Sequence, residues 1–262
     1  VILRPTDQAL FDQLAHMSPA ERAHELDELI RRVIIPYSVL GIALILIGLG
    51  IKYSPLPEIN TEEENEELAA ANSDKSNIFQ FPHLVLGAIA IFIHVGTQVI
   101  AIDTIINYAG SMNIPLLEAK VFPSYTLFVT ICGYLLGILC IPRIISQVNA
   151  LRICTVLGLF LTLLIVFCKS DVAILGHQTD ISIWFVVLLG FGNSLIWAGI
   201  WPLALDGLGR FTKLGGSLLI MGLCGNAILP LAYGHFADIY DLRTAYWVLF
   251  PCYLYLIFYA VH

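Results

Sequence analysis

The stretch His83-Leu-Val-Leu-Gly-Ala-Ile-Ala-Ile-Phe-Ile-His-Val-Gly-Thr-Gln-Val-Ile-Ala-Ile-Asp-Thr-Ile-Ile-Asn-Tyr108 carries one carboxylate, Asp103, and no Lys or Arg. Crossing about 30 Å of hydrocarbon takes roughly 20 apolar residues as a helix, so this run is long enough to span a membrane. Six further runs of the same kind stand at 33–52, 124–145, 150–168, 181–208, 214–232 and 244–261. The whole chain agrees with that reading: of 262 residues 58% are hydrophobic and 13% charged, against about 25% charged in soluble domains. An all-α membrane protein of seven spans is the expectation.

The spacing of the spans is uneven. Residues 1–32 precede the first, and Ser18, Pro19 and Glu21 there form a capping-box signature that predicts a short amphipathic helix outside the membrane. After the first membrane helix, 33–53, an acidic linker at 54–80 holds Pro55, Pro57 and the run Glu62, Glu63, Glu64, Glu66 and Glu67. Such a composition buries too little apolar surface to fold alone. Six spans then follow in close succession over 81–262. One helix, a charged linker and six helices suggest a transporter of two six-helix bundles, cut just before the last helix of the first. The chain begins at Val1, which is read as the start of a fragment. Within the second bundle, the spans from His83 and Ile181 are the expected first helices of two inverted three-helix repeats.

Charge sets orientation and excludes one class of partner. The formal net charge is −7, which disfavours nucleic acid because phosphate needs a basic face. From Asn77 onward seven acidic and seven basic residues balance, so the excess lies earlier in the chain. Placing the linker in the cytoplasm puts Lys52, Lys75, Arg143, Arg152, Arg210 and Lys213 inside, and leaves Lys120, Lys169 and Arg243 in short outer loops. The six cysteines lie in or beside apolar runs without paired-ligand spacing, and are read as packed or lipid-facing thiols rather than a disulfide or zinc framework.

Polar residues at membrane depth are expensive and therefore informative. In the second span these are His94, Thr97, Gln98, Asp103 and Asn107. At about 100° per residue His94 and Asp103 point to opposite sides of a straight helix. Either Gly96 permits an unwound break that brings them together, or one group faces a cavity and the other a neighbouring helix. In the fifth span Asn193, Trp197 and Trp201 recur every fourth residue and form one stripe, an amide with two indoles. Aromatic faces stack on the C–H surface of a pyranose while an amide pairs with its hydroxyls, and core packing is the plainer alternative. In the sixth span Gly215, Gly216, Gly222 and Gly225 form a close-packing face beside Asn226, which bonds either substrate or a neighbouring helix. Nothing here forms a nucleophile–base pair, a metal cluster or a phosphate loop, and Gly207-Leu-Gly209 lacks the strand context of a dinucleotide fingerprint. An enzyme is not expected.

Several of these segments together resemble the sugar transporters of the major facilitator superfamily, in the group of fucose:proton symporters and bacterial glucose/galactose transporters. The matching segments are His94-Val-Gly-Thr-Gln98, Asp103-Thr-Ile-Ile-Asn-Tyr108, Gly207-Leu-Gly-Arg-Phe-Thr-Lys213, Gly216-Ser-Leu-Leu-Ile-Met221 and Gly234-His-Phe-Ala-Asp238. Arg143 stands in a loop similar to the second copy of the superfamily's cytoplasmic gating motif. The resemblance implies proton-coupled import of a monosaccharide by alternating access across the bacterial inner membrane, with no cofactor and with the first bundle of the same protein as partner. It implies the major facilitator fold, here the last helix of the first bundle and all six of the second. Gln98 and Trp197 match a polar sugar contact and an aromatic sugar platform, and Gln98 stands where many relatives have Glu. Asp103, Asn107, Asn193, Trp201 and Asn226 complete the expected cavity set, while Arg143, Arg210 and Asp238 are expected to latch loops. A seven-helix receptor is the rival reading; the uneven spacing and the mid-membrane glycines stand against it.

Overall fold

The computed structural model describes residues 13, 17–53, 77–141 and 143–262. The acidic run, the Pro57-Glu58-Ile59 exit from the first span and Pro142 lie outside the described residues. The chain divides into two units, residues 1–61 and 62–262.

The first unit contributes helix α1, Pro19–Lys52. Its start follows the sequence signature: Ser18 Oγ accepts from the Glu21 amide, and the Ser18 amide donates to Glu21 Oε2 at 3.1 Å. The expected boundary at residue 32 is absent, because nothing between Leu29 and Val33 breaks a helix and the amphipathic turn runs straight into the apolar span. Ile35, Leu40, Ile45 and Ile51 are all exposed. A helix that is apolar all round is one that is buried in a larger core or spans a membrane.

The second unit holds the other six spans. Helix α2 is Pro82–Asp103 and α3 Ile105–Ser111; α4 is Leu116–Ala119 and α5 Phe122–Cys140; α6 is Gln147–Phe167. After a two-stranded hairpin come α7, Ile181–Ser194, and α8, Ile196–Leu205; then α9, Thr212–Met221, α10, Gly225–Ile239, and α11, Leu249–Val261. Among the described residues, seven helical segments are long and apolar enough to cross a membrane, and they coincide with the seven runs read from the sequence. Three differ in detail. The second is interrupted at Thr104, the fifth at Leu195, and the sixth by a 3-10 turn at Gly222–Cys224 while extending over Gly209–Ile239.

The hairpin is new relative to the sequence reading. Strands β1, Asp171–Ile174, and β2, His177–Asp180, pair antiparallel with Ile174 opposite His177. The turn between them places Leu175 at φ 53° and Gly176 at φ 84°, the paired left-handed geometry that matches strand twist.

The burial pattern of α5 shows which solvent the bundle is built for. Thr126, Thr130, Gly133 and Gly137 face inward, whereas Phe128, Ile131, Leu135 and Ile138 face out. Small and hydroxyl-bearing residues inside with large apolar residues outside is the arrangement of helices packing in lipid. The inward threonines bond along their own helix, Thr130 Oγ1 donating to the Thr126 carbonyl at 2.8 Å. Backbones approach closely at α2 and α10, where a Cβ on Gly225 would collide with the Phe92 carbonyl oxygen. The core itself is aromatic at its larger positions, with Phe81, Tyr108, Phe122, Tyr246 and Tyr253 fully buried.

Candidate functional site

Helix α2 stays regular through Gly96, so the unwound break considered there does not form. Its inward face is Ala90, Ile91, His94, Thr97 and Ala101. His94 has no exposure and neither ring nitrogen has a hydrogen-bond partner. Gln98 is half-buried one turn on, while Asp103 is the last residue of the helix and is exposed. The opposed geometry of His94 and Asp103 is thus kept, and Asp103 sits at the exposed end of the helix. The interruption falls at Thr104, whose hydroxyl donates to the Ile100 carbonyl at 2.6 Å and lies 3.0 Å from the Tyr246 hydroxyl. Asn107, on α3, is exposed.

The amide–indole stripe is divided by the interruption at Leu195. Asn193 belongs to α7 and is buried, its Oδ1 accepting from the Tyr253 hydroxyl at 2.9 Å. Trp197 and Trp201 belong to α8, half-buried, with ring centroids 5.7 Å apart at 44°. The break has a local cause: Ser194 Oγ bonds back to the Phe191 carbonyl at 2.8 Å, competing with the helix ladder at its end. Pro202 adds a second lesion by withdrawing the donor for the Ala198 carbonyl. Gln147, at the start of α6, supplies that bond instead, its side-chain amide donating to Ala198 O at 2.5 Å.

Asn226 is exposed in the first turn of α10. Of the expected latches, Arg143 and Asp238 are exposed, and Arg210 lies over the Phe211 ring at 4.9 Å. Among the predicted residues the structure brings Trp197 and Trp201 into direct ring contact. One cavity, about 190 Å³, is apolar and lies between α5, α6 and α7 beside Gly137, Cys154 and Leu195. None of the predicted residues lines it. No group of three or more metal-ligating side chains occurs among the described residues, and the cysteines are free.

The strongest polar cluster was not anticipated. At the end of the bundle holding the hairpin, Arg243 donates through Nη2 to Asp180 Oδ1 at 2.5 Å and to Ser182 Oγ at 2.7 Å, and through Nε to the Tyr108 hydroxyl at 3.0 Å. Tyr108 and Ser182 are themselves 2.6 Å apart. One guanidinium thus ties α3, the start of α7 and the loop before α11. Nearby, His177 bonds Glu118 through Nδ1, and its Nε2 lies 3.3 Å from the Tyr125 hydroxyl. Asp180 caps α7, its Oδ1 accepting from the Ser182 amide at 2.9 Å, but nothing in one dimension brings Arg243 beside it.

Six membrane-length helices thus follow one another in the second unit, with interruptions in the first, fourth and fifth. The fold is that of a crystal structure of the Escherichia coli fucose:proton symporter, with a TM-score of 0.70, 20% identity, and coverage of 95% of this chain and 60% of that one. A second crystal structure of that transporter, in the outward conformation, gives a TM-score of 0.71 at 20% identity over 95% of this chain and 59% of that one. In sequence the chain is similar to the glucose/galactose transporter of Brucella abortus, 29% identical over 86% of this chain and 52% of that protein. It is also similar to the L-fucose-proton symporter of Escherichia coli K12, 23% identical over 87% of this chain and 50% of that protein. No family model matches. The chain spans about half the length of these curated relatives. They are named as transporters rather than as enzymes or receptors.

Proposed function

We propose that this chain is the C-terminal part of a proton-coupled monosaccharide importer of the glucose/galactose or fucose class, located in a bacterial inner membrane and working by alternating access against a first bundle of the same protein. The observation that carries the reading is that one stretch, nearly the whole chain, is similar both in sequence to glucose/galactose transporters and in fold to a fucose:proton symporter. The seven-helix receptor is not favoured by either comparison.

Within that reading the sugar is held by Trp197 and Trp201, with Gln98 and Asn226 as hydrogen-bonding partners on the side that the first bundle closes. The indole pair supports this role: it is half-buried and tilted rather than stacked, and the buried Trp201 Nε1 has no hydrogen-bond partner among the described residues. Asp103 and Asn107 stand at the outer mouth. His94 and Asn193 are withdrawn into helix packing and act by holding α2 and α7 in place. Arg143, Arg210 and Asp238 act on loop closure at the two faces. Uptake of labelled glucose, galactose and fucose by the full-length protein in proteoliposomes tests the reading. Accumulation of one sugar under an inward proton gradient is expected, and no accumulation of any by folded protein overturns it.

A further inference from the structure

Arg152 stands in the second turn of α6, and its Nε donates to the Ala260 carbonyl in the last turn of α11 at 2.8 Å. Its two Nη groups make no hydrogen bond among the described residues. Beside it opens a cavity of about 190 Å³ lined by His83, Leu203, Tyr259 and His262. His83 is fixed there, its Nε2 donating to the Asp206 carbonyl at 2.9 Å. From the same arginine a shallow groove of about 450 Å³ runs along α6 over Ile153, Val156, Leu157 and Phe160. Ile153, Val156 and Phe160 are each more than half exposed, on the outer face of the helix.

The two cavities share Arg152 and differ in character, one mixed polar and apolar around the guanidinium at the helix end, the other apolar along the outer face of α6. A water-soluble anion would satisfy the first and leave the second bare. A lipid with a neutral headgroup would fill the second and leave the guanidinium without a counter-charge. Only an amphiphile with a negative head meets both conditions, and basic pockets between helices at a membrane face recognise such headgroups. We propose that Arg152 and this groove bind an anionic phospholipid, its phosphate on the guanidinium and one acyl chain against Ile153, Val156 and Phe160. Bound there, the lipid bridges the ends of α6 and α11 beside the Nε bond that joins them.

The test is native mass spectrometry of the full-length protein titrated with phosphatidylglycerol, with phosphatidylcholine of the same chains, and with phosphatidylglycerol in the presence of glycerol 3-phosphate. Tighter binding of phosphatidylglycerol than of phosphatidylcholine is expected. Arg152→Gln should weaken phosphatidylglycerol about fivefold, the effect of one basic residue at a membrane surface. Val156→Trp, which fills the groove and leaves every charge in place, should weaken both lipids. Equal binding of the two lipids by the unaltered protein, unchanged binding by folded Val156→Trp, or displacement of lipid by glycerol 3-phosphate overturns the proposal. Should Arg152→Gln fail to fold, the Val156→Trp arm decides alone.

Discussion

Tyr253 on α11 donates its phenol proton to Asn193 Oδ1 on α7 at 2.9 Å, and both residues are buried to within 1% of complete. That bond commits the amide oxygen to helix packing, while the buried Asn193 Nδ2 has no hydrogen-bond partner among the described residues. An Asn whose acceptor is already taken by a neighbouring helix holds the bundle together, and Tyr253 itself fills the space left by Gly158 on α6. Asn193→Ala should therefore act on stability, leaving the Tyr253 hydroxyl unpaired at a cost of about 1–3 kcal/mol. Unfolding of the full-length protein in mixed micelles reads this, and adding Tyr253→Phe to Asn193→Ala should cost less than Asn193→Ala alone because it removes the orphaned hydroxyl as well. Equal losses for the two variants would contradict the argument.

The Arg243 cluster gives a second prediction. The guanidinium joins three segments through Asp180, Ser182 and Tyr108, and its side chain and that of Asp180 are only 21% and 11% exposed. Hydrogen bonds between charged partners in such partly buried places contribute about 1.5–3 kcal/mol. Arg243→Gln and Asp180→Asn should each destabilise by about 2 kcal/mol, and the double variant by much less than the sum. Additive losses in the same unfolding experiment would show that the pair is not coupled.

These two sites also mark how far the sequence could be read. Seven apolar runs and the Ser18 cap follow from local composition, and the structure places helices on all of them. Gly96 and Thr104 show the limit: a glycine suggested the break in the second span, yet the helix passes through Gly96 and ends where a threonine bonds Ile100 and approaches Tyr246 from another helix. Likewise Asn193, Trp197 and Trp201 share one stripe only if the helix is straight, and the interruption at Leu195 divides them. Period arguments carry over a whole span only when nothing interrupts it. Contacts such as Arg243 with Asp180 are tertiary and leave no local trace.

Pro202 leads to a third prediction. By lacking an amide proton it leaves Ala198 O without a helical donor, and Gln147 from α6 provides one at 2.5 Å. Gln147→Ala should lower stability by about 1 kcal/mol. Combining it with Pro202→Ala, which restores the helical donor, should recover most of the loss. Failure of the double variant to recover would remove the proline as the reason for the Gln147 contact.

Acid sensitivity follows from Asp241, in the loop between α10 and α11. The Thr244 hydroxyl donates to Asp241 Oδ2 at 2.6 Å and the Thr244 amide to Oδ1 at 2.8 Å. The hydroxyl bond is the larger cause that holds this carboxyl below its ordinary value in the folded protein. A depressed folded pKa means that the contribution is present above the unfolded value, 3.8, and is lost as pH falls through the folded one. Asp241→Asn should lower the Tm at pH 7, and the gap to the unaltered protein should close below about pH 4. A Tm difference that persists unchanged into that range would mean the carboxylate charge is not what the loop uses.

The substrate reading makes the sharpest demand on Trp197. If Trp197 and Trp201 form the platform for a pyranose, the loss of one indole removes stacking area and leaves the fold standing, because Trp197 is half-buried and its contact with Trp201 is between neighbouring turns of α8. Trp197→Ala in the full-length transporter should then weaken sugar binding about tenfold or more, since aromatic side chains dominate the energetics of such contacts. Trp197→Phe should retain most of the affinity. Asn193→Ala, by contrast, should change stability far more than affinity. Measuring sugar affinity and unfolding on the same three variants separates the roles, and unchanged affinity in Trp197→Ala would remove α8 from the sugar site.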